Sequence, residues 1–210
     1  NKTDFQTSLL RMFKARIPFI VINSIERARV LDTLSVLVDE VGVPIYVHSL
    51  SHGTQDIKVK RSLNEDRSVV GGLDFAVQQI LQRQNLTFVF TEVSDLNDDN
   101  IVTRQFYDSV IQAIERGGSI CVITNNPVWS QLQRLGMAIR LDPPDEDEMF
   151  EIVKEFVMQY LGAIPIEWSE PDYRTAASIL TNMTKVEAEN VLATIMAKGT
   201  LTAEDLQELS

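Results

Sequence analysis

Apolar positions recur along the chain in two alternating rhythms. Residues 3–15 place Phe5, Leu9, Leu10 and Phe13 at helical spacing, which predicts an amphipathic helix. Ile17, Phe19, Ile20, Val21 and Ile22 then run together as a short apolar block, the pattern of a strand buried on both faces. A turn at Asn23-Ser24 leads into helical spacing again, with Ile25, Ala28, Val30, Leu31 and Leu34 in a segment of roughly 25–41 that stops near Gly42. The same sequence of strand and helix repeats. Strands are predicted at 44–50, 86–93, 119–124 and 137–142. Helices are predicted in "GLDFAVQQILQRQ", with Asp74 in the first turn, and in a long segment after 95 closed by Gly117-Gly118. A short helix falls in "NPVWSQLQRLG". Alternation of this kind predicts an α/β unit: a five-stranded parallel sheet with helices on both faces.

The pattern changes at "PPDEDEMFEIVKEF". Pro143-Pro144 forbids the strand from continuing, and Asp145 is placed to cap a helix with an acidic first turn. Only helical segments follow. The expected division is an α/β domain over 1–142 and a small helical lid domain over 143–210. Between the second strand and the next helix lies a polar stretch, 51–70, long for a compact domain and therefore expected to be mobile or functional. Its basic interval "IKVKRS" is followed at once by "NEDR" and reads as a solvated loop.

Composition narrows the function. The 44% hydrophobic content supports a true core, and no apolar run is long enough for a membrane helix. A formal net charge of −11 excludes nucleic-acid binding by bulk attraction. The single Cys121 sits in an apolar strand, excludes an internal disulfide and fits a reducing compartment such as the cytoplasm. The first residue is Asn1 rather than Met, so a piece of a longer protein is expected. His48 and His52 flank a strand end and do not converge as metal ligands. "DLNDDN" lacks the glycine and glutamate of a calcium loop and reads as a capping turn. Trp129 and Trp168 read as packing residues. No catalytic residue and no metal site is expected.

In α/β nucleotide-binding proteins the first strand-to-helix turn holds phosphate on a glycine-rich loop with a lysine. Here "NSIERARV" has neither. Ser24 reads as an N-cap, and Glu26 in the first turn occupies the positive helix end and repels a triphosphate. The third strand ends in Thr91-Glu92, where a magnesium site would carry paired acids, and the fourth ends in Thr124-Asn125-Asn126, a plain turn by composition. The residues alone leave two other plans open. In a flavodoxin-like sheet, Ser24, Ser49, Ser51, Thr91, Glu92, Asn125 and Asn126 would ring one ligand crevice beneath loop 51–70. In a partner-binding module, loop 51–70 and the acidic 142–151 face would be the contact surfaces.

With "MAIRLDPPDEDEMFEIVKEF", "SICVITNNP", "LTFVFTEVSD", "SIERARV" and "TKVEAENVL", the chain resembles the degenerate amino-terminal AAA module of the uncharacterised chloroplast-open-reading-frame AAA family ATPases of plastids, cyanobacteria and other bacteria. It departs from them at Ser24, where Thr is expected, and in loop 51–70. The resemblance implies a pseudo-ATPase module that binds no cofactor itself, with a vestigial crevice of Ser24, Glu26, Thr91, Glu92, Asn125 and Asn126. It implies a second ATPase module in the same polypeptide, ATP and magnesium for that parent protein, and a homo-oligomer, a hexamer. It implies neither nucleic acid nor membrane as partner, and a cytoplasmic or plastid-stromal location.

Overall fold

A computed structural model describes residues 2–210. Residues Thr3–Leu141 form one compact unit and Asp142–Ser210 make up most of a second. The first unit contains helices α1 (Lys2–Lys14), α2 (Arg27–Val41), α3 (Val69–Gln82), α4 (Ile101–Ile114) and α5 (Ser130–Gln133). Its strands are β1 (Phe19–Asn23), β2 (Ile45–Ser49), β3 (Gly53–Asp56), β4 (Ser62–Asn64), β5 (Thr87–Phe90), β6 (Ser119–Thr124) and β7 (Met137–Arg140). The second unit contains α6 (Glu146–Met158), α7 (Glu170–Leu180), α8 (Lys185–Met196) and α9 (Asp205–Leu209).

The strands form one seven-stranded sheet in the order β4-β3-β2-β5-β6-β1-β7. The five strands β2, β5, β6, β1 and β7 are mutually parallel, while β3 runs antiparallel to β2 and β4 antiparallel to β3. The sheet is therefore mixed, and the expected five-stranded parallel sheet is corrected by a hairpin built from the stretch that reads as a polar loop. "GTQD" and "SLN" carry almost no apolar alternation, so their pairing comes from docking on the free edge of β2 rather than from intrinsic preference. The basic interval is the hairpin turn, with Lys58 N–H and Val59 N–H donating to the Asp56 carboxylate.

Alternation along each strand sorts the core into two layers. Phe19 and Val21 of β1, Phe88 and Phe90 of β5, and Ile120 and Val122 of β6 face α3, α4 and α5 through Leu73, Ala76, Ile80, Phe106, Val110 and Leu132. The intervening Ile20, Ile22, Val89, Cys121 and Ile123 face α1 and α2 through Phe5, Leu9, Phe13, Val30, Leu34 and Leu37. Cys121 is wholly buried, and burial pushes its thiol pKa up.

Helix boundaries shift where capping overrides periodicity. Ser68 Oγ accepts from Gly71 N–H, so α3 begins at Val69 and Asp74 lies beyond its first turn. The "DLNDDN" turn caps α4: Asn100 and Thr103 form a reciprocal capping box, and Asp99 holds Arg104 through two bonds of 2.8 and 2.9 Å. Asp145 accepts from Glu148 N–H at the start of α6. The helical unit packs Met149, Phe150, Val153 and Val157 of α6 against Ala176, Ala177 and Leu180 of α7 and Leu192 of α8. Trp168 is 5% exposed, and its indole N–H donates to Thr202 O at 2.8 Å.

Gly136 enters β7 where the chain passes against β1. A Cβ there would lie 1.7 Å from the Phe19 carbonyl oxygen, a backbone atom of the central strand that has no room to retreat. Gly136→Ala is expected to lower stability by about 3 kcal/mol, the upper range for overpacking, because backbone rather than a side chain must move. Urea unfolding of the variant checks this, and an unchanged midpoint would show that the edge strand yields freely.

Candidate functional site

The carboxyl ends of the parallel strands hold the polar residues singled out in the sequence. Chain direction reverses there. From β1 the chain crosses by α2 toward β2, and from β6 it crosses by α5 to β7 on the other side of β1. The ends of β1 and β6 are thus a topological switch point, the usual place for a ligand crevice in an open α/β sheet.

Three residues, 24–26, join β1 to α2. Ser24 is buried, its N–H donating to Thr124 O at 3.3 Å and its hydroxyl accepting from Glu26 N–H at 2.9 Å. The sequence places Ser24 as the N-cap and Glu26 inside the first turn. In the structure Glu26 itself holds the cap position without a side-chain cap bond, and Ser24 closes a tight turn ahead of it. The Glu26 carboxylate turns instead to the Arg29 guanidinium, one turn along the helix, with both side chains at 7% exposure or less. Ile25, at the tip of the turn, is 66% exposed. Arg27 reaches sideways to Glu92, NH1 to Oε1 at 2.6 Å, in a more open setting.

Thr91 points into the sheet edge. Its N–H and its hydroxyl both donate to the His48 carbonyl, at 3.1 and 2.9 Å, which fastens the ends of β5 and β2 together. Asn126 N–H donates to Thr124 Oγ1 at 3.1 Å, and both Asn125 and Asn126 are exposed. Two hollows lie along this edge. A cleft of about 650 Å³ includes Arg27, Ser49 and Thr91 in its lining, together with one side of α2 and the hairpin turn. A smaller one of about 230 Å³ includes Thr124 and Asn126 beside residues 93–97. Ser24, Glu26, Ser51, Glu92 and Asn125 line neither. Among the described residues no group of three or more His, Cys, Asp or Glu is placed to hold a metal ion.

The sequence reads His48 only as a residue flanking a strand end that is no metal ligand; the structure places it within β2 as a buried polar residue. It lies 2% exposed on the inner face of β2, stacked 5.3 Å from the Phe90 ring. Its Nε2 has no hydrogen-bond partner among the described residues, and neither has Thr54 Oγ1, the residue registered opposite it on β3. Gly72 covers the ring so closely that a Cβ there would come within 2.8 Å of Nε2. Burial holds the imidazole pKa below its ordinary value, against the opposing pull of the Asp66 and Ser68 backbone and the Asp66 and Glu92 charges. The sequence carried one usable signal: a histidine at an inward position of a strand, with Gly71-Gly72 at the start of the next helix.

These features define a class. A parallel sheet whose first strand sits between the fourth and fifth, switching at the head of the first crossover helix, is the AAA-type nucleotide-binding fold. The flavodoxin-like alternative requires the order 2-1-3-4-5, which this sheet does not have. Among solved structures, a chain of the Escherichia coli MS115-1 HORMA:CdnC:Trip13 complex is similar with a TM-score of 0.67 at 9% identity, covering 98% of this chain and 86% of that one. Caenorhabditis elegans PCH-2 gives 0.62 at 10% identity, over 99% of this chain and 66% of that one. The Thermotoga maritima RuvB P216G mutant gives 0.60 at 13% identity, over 100% and 69%. No curated protein sequence matches. The chain belongs to the SpoVK-like AAA ATPase N-terminal domain family, whose model matches residues 5–141.

Two outcomes test this electrostatic picture. Glu26→Ala is expected to lower stability by about 3 kcal/mol, since removing one partner of a buried ion pair leaves the desolvation of the other. A loss below about 1 kcal/mol in chemical unfolding would show the pair to be incidental. The second concerns pH. The folded-state pKa of His48 lies below its unfolded value of 6.5, so the unfolded chain binds the extra proton. The His48 contribution is therefore intact above about pH 7.5 and falls away as pH drops through 6.5, by at most about 1.4 kcal/mol per unit. Asp66, Asp99 and Glu187, held low by their hydrogen bonds, lose their contributions only at more acid pH. Urea midpoints at pH 7.5 and 5.5 should differ for the natural chain and converge for His48→Leu.

Proposed function

We propose that this chain is a non-catalytic AAA-like module of a larger ATPase, serving assembly or regulation while ATP binding and hydrolysis lie in a second module outside these 210 residues. The observation that carries this reading is the turn at 24–26 with its buried Glu26–Arg29 pair. A phosphate cradle needs several successive backbone N–H groups turned outward and a free cation above them. Three residues give no such loop. One of their N–H groups is taken by Ser24 Oγ and another by Thr124 O. The negative end of Glu26 stands at the positive end of α2, where a phosphate would sit. Arg29 is turned to Glu26, and Arg27 is tied to Glu92.

The residues at this position do not fit a nucleoside triphosphate. Thr91 replaces the aspartate of a magnesium site and is fastened to the backbone of β2. Ser24, Glu26, Thr91, Glu92, Asn125 and Asn126 are a vestige of the nucleotide crevice, kept for the shape of the sheet edge. The module is one of the degenerate amino-terminal type of the chloroplast-open-reading-frame family, and its parent assembles as a homo-oligomer, a hexamer, in cytoplasm or plastid stroma. ATP and magnesium belong to the second module.

Isothermal titration of the chain with ATP and magnesium checks the reading, and no saturable heat is expected up to 1 mM nucleotide. Micromolar binding that depends on magnesium would overturn it, because it needs about −8 kcal/mol of contacts that this turn does not offer. A parent sequence without an intact Gly-x-x-x-x-Gly-Lys-Thr module elsewhere would overturn its second half.

A further inference from the structure

The two faces of the sheet are covered unequally. Helices α3, α4 and α5 lie over one face. Among the described residues of the first unit, the other face carries α1 and α2, which cover β1, β5, β6 and the start of β2. Beyond α2, Val47 and Ser49 of β2 and Gln55 and Asp56 of β3 stay only partly buried and line the 650 Å³ cleft. Leu31 of α2, Val47 of β2 and Ile57 of the hairpin turn supply its apolar surface. The cleft reaches from α2 across β2 and β3, one strand spacing of about 4.8 Å, and on to the hairpin turn. An α-helix with side chains is about 10 Å across. One more helix beside α2 would complete the layer.

Charge states which kind of helix. The hairpin turn reads Ile57-Lys58-Val59-Lys60-Arg61, three cations without an anion, and Val59 is 69% exposed between them. Lys58 holds Asp39 of α2 only loosely, at 3.4 Å, and keeps 41% of its side chain exposed. Arg27 closes the other end with half its side chain open to solvent. Two carboxylates also line the cleft: Asp56 is committed to the hairpin turn by the N–H groups of Lys58 and Val59, and Asp32 stands exposed on the α2 side. Arg27 is paired with Glu92, so the open positive charge is that of Lys58 and Lys60 on the hairpin side, and apolar surface beside it recognises an amphipathic helix whose acidic flank faces the hairpin.

We propose that the cleft between α2 and the β3–β4 hairpin docks an acidic amphipathic helix of a partner protein, seated on Leu31, Val47 and Ile57 and flanked by Arg27, Lys58 and Lys60. The cleft shares Arg27 and Thr91 with the candidate site but none of residues 24–26, so nucleotide binding at that turn leaves its apolar seat and Lys58 and Lys60 standing. A second copy is the competing occupant, since residues 142–210 hold 15 acidic and 4 basic side chains.

The probe is a labelled 18-residue helical peptide with leucine on one face and glutamate on the other. The same peptide with lysine for glutamate is the control. Fluorescence anisotropy should show the acidic peptide binding at least tenfold more tightly than the basic one, with affinity falling as salt rises. Amide shifts on the full chain should map to 31–35, 47 and 55–60. Lys58→Glu/Lys60→Glu and the cleft-filling Ser35→Trp should each weaken binding tenfold or more, with circular dichroism confirming that both variants fold. Equal binding of the two peptides, no binding at millimolar peptide, or shifts confined to the helical unit would overturn the proposal. Self-association of the chain that Lys58→Glu/Lys60→Glu abolishes would assign the cleft to a second copy and overturn the distinct partner.

Discussion

Burial of β1 on both faces is the constraint from which the rest follows. Phe19 and Val21 point into one layer and Ile20 and Ile22 into the other, all at 1% exposure or less. Such a strand cannot sit at an edge, because an edge leaves one row of backbone groups without partners. It pairs with β6 on one side and β7 on the other, and the turn that follows it opens at the switch point of the sheet. The position of the candidate site is therefore a consequence of core packing, whatever chemistry the turn retains.

What that turn retains is mostly internal. Ser24 satisfies Glu26, Glu26 meets Arg29, Arg27 meets Glu92, and Thr91 bonds to the backbone of β2. The polar groups of the turn and of the β5 end are thus engaged with their neighbours, while Asn125 and Asn126 stay exposed. Membership of the AAA N-terminal domain family and the likeness to RuvB and PCH-2 speak to the frame, while these pairings speak to the chemistry of the turn.

The frame was legible because its strands are apolar on both faces: "FIVIN", "TFVF" and "SICVIT" need no context to be read as buried strands. Helix starts capped by Asp145 were equally plain. The hairpin was not, since the residues of β3 and β4 become strand only by docking beside β2. Ser24, Thr91 and Glu92 were visible as positions, but their partners were not. Ser24 meets the far end of β6, and Thr91 the far end of β2, contacts that link residues 100 and 43 apart in sequence. His48 was visible only as a histidine near a strand end, because its isolation is a property of Gly72 and Thr54 lying around it, which no local pattern announces.

Cys121 lies at the middle of this architecture, on β6 between β1 and β5, with no surface exposed. Its thiol is the single one in the chain, and it is sealed by the same two layers that hold the sheet together. Oxidants and alkylating reagents can meet it only when those layers part. The folded protein is thus chemically quiet toward thiol reagents, and any slow modification would count the rare excursions in which the whole sheet comes open.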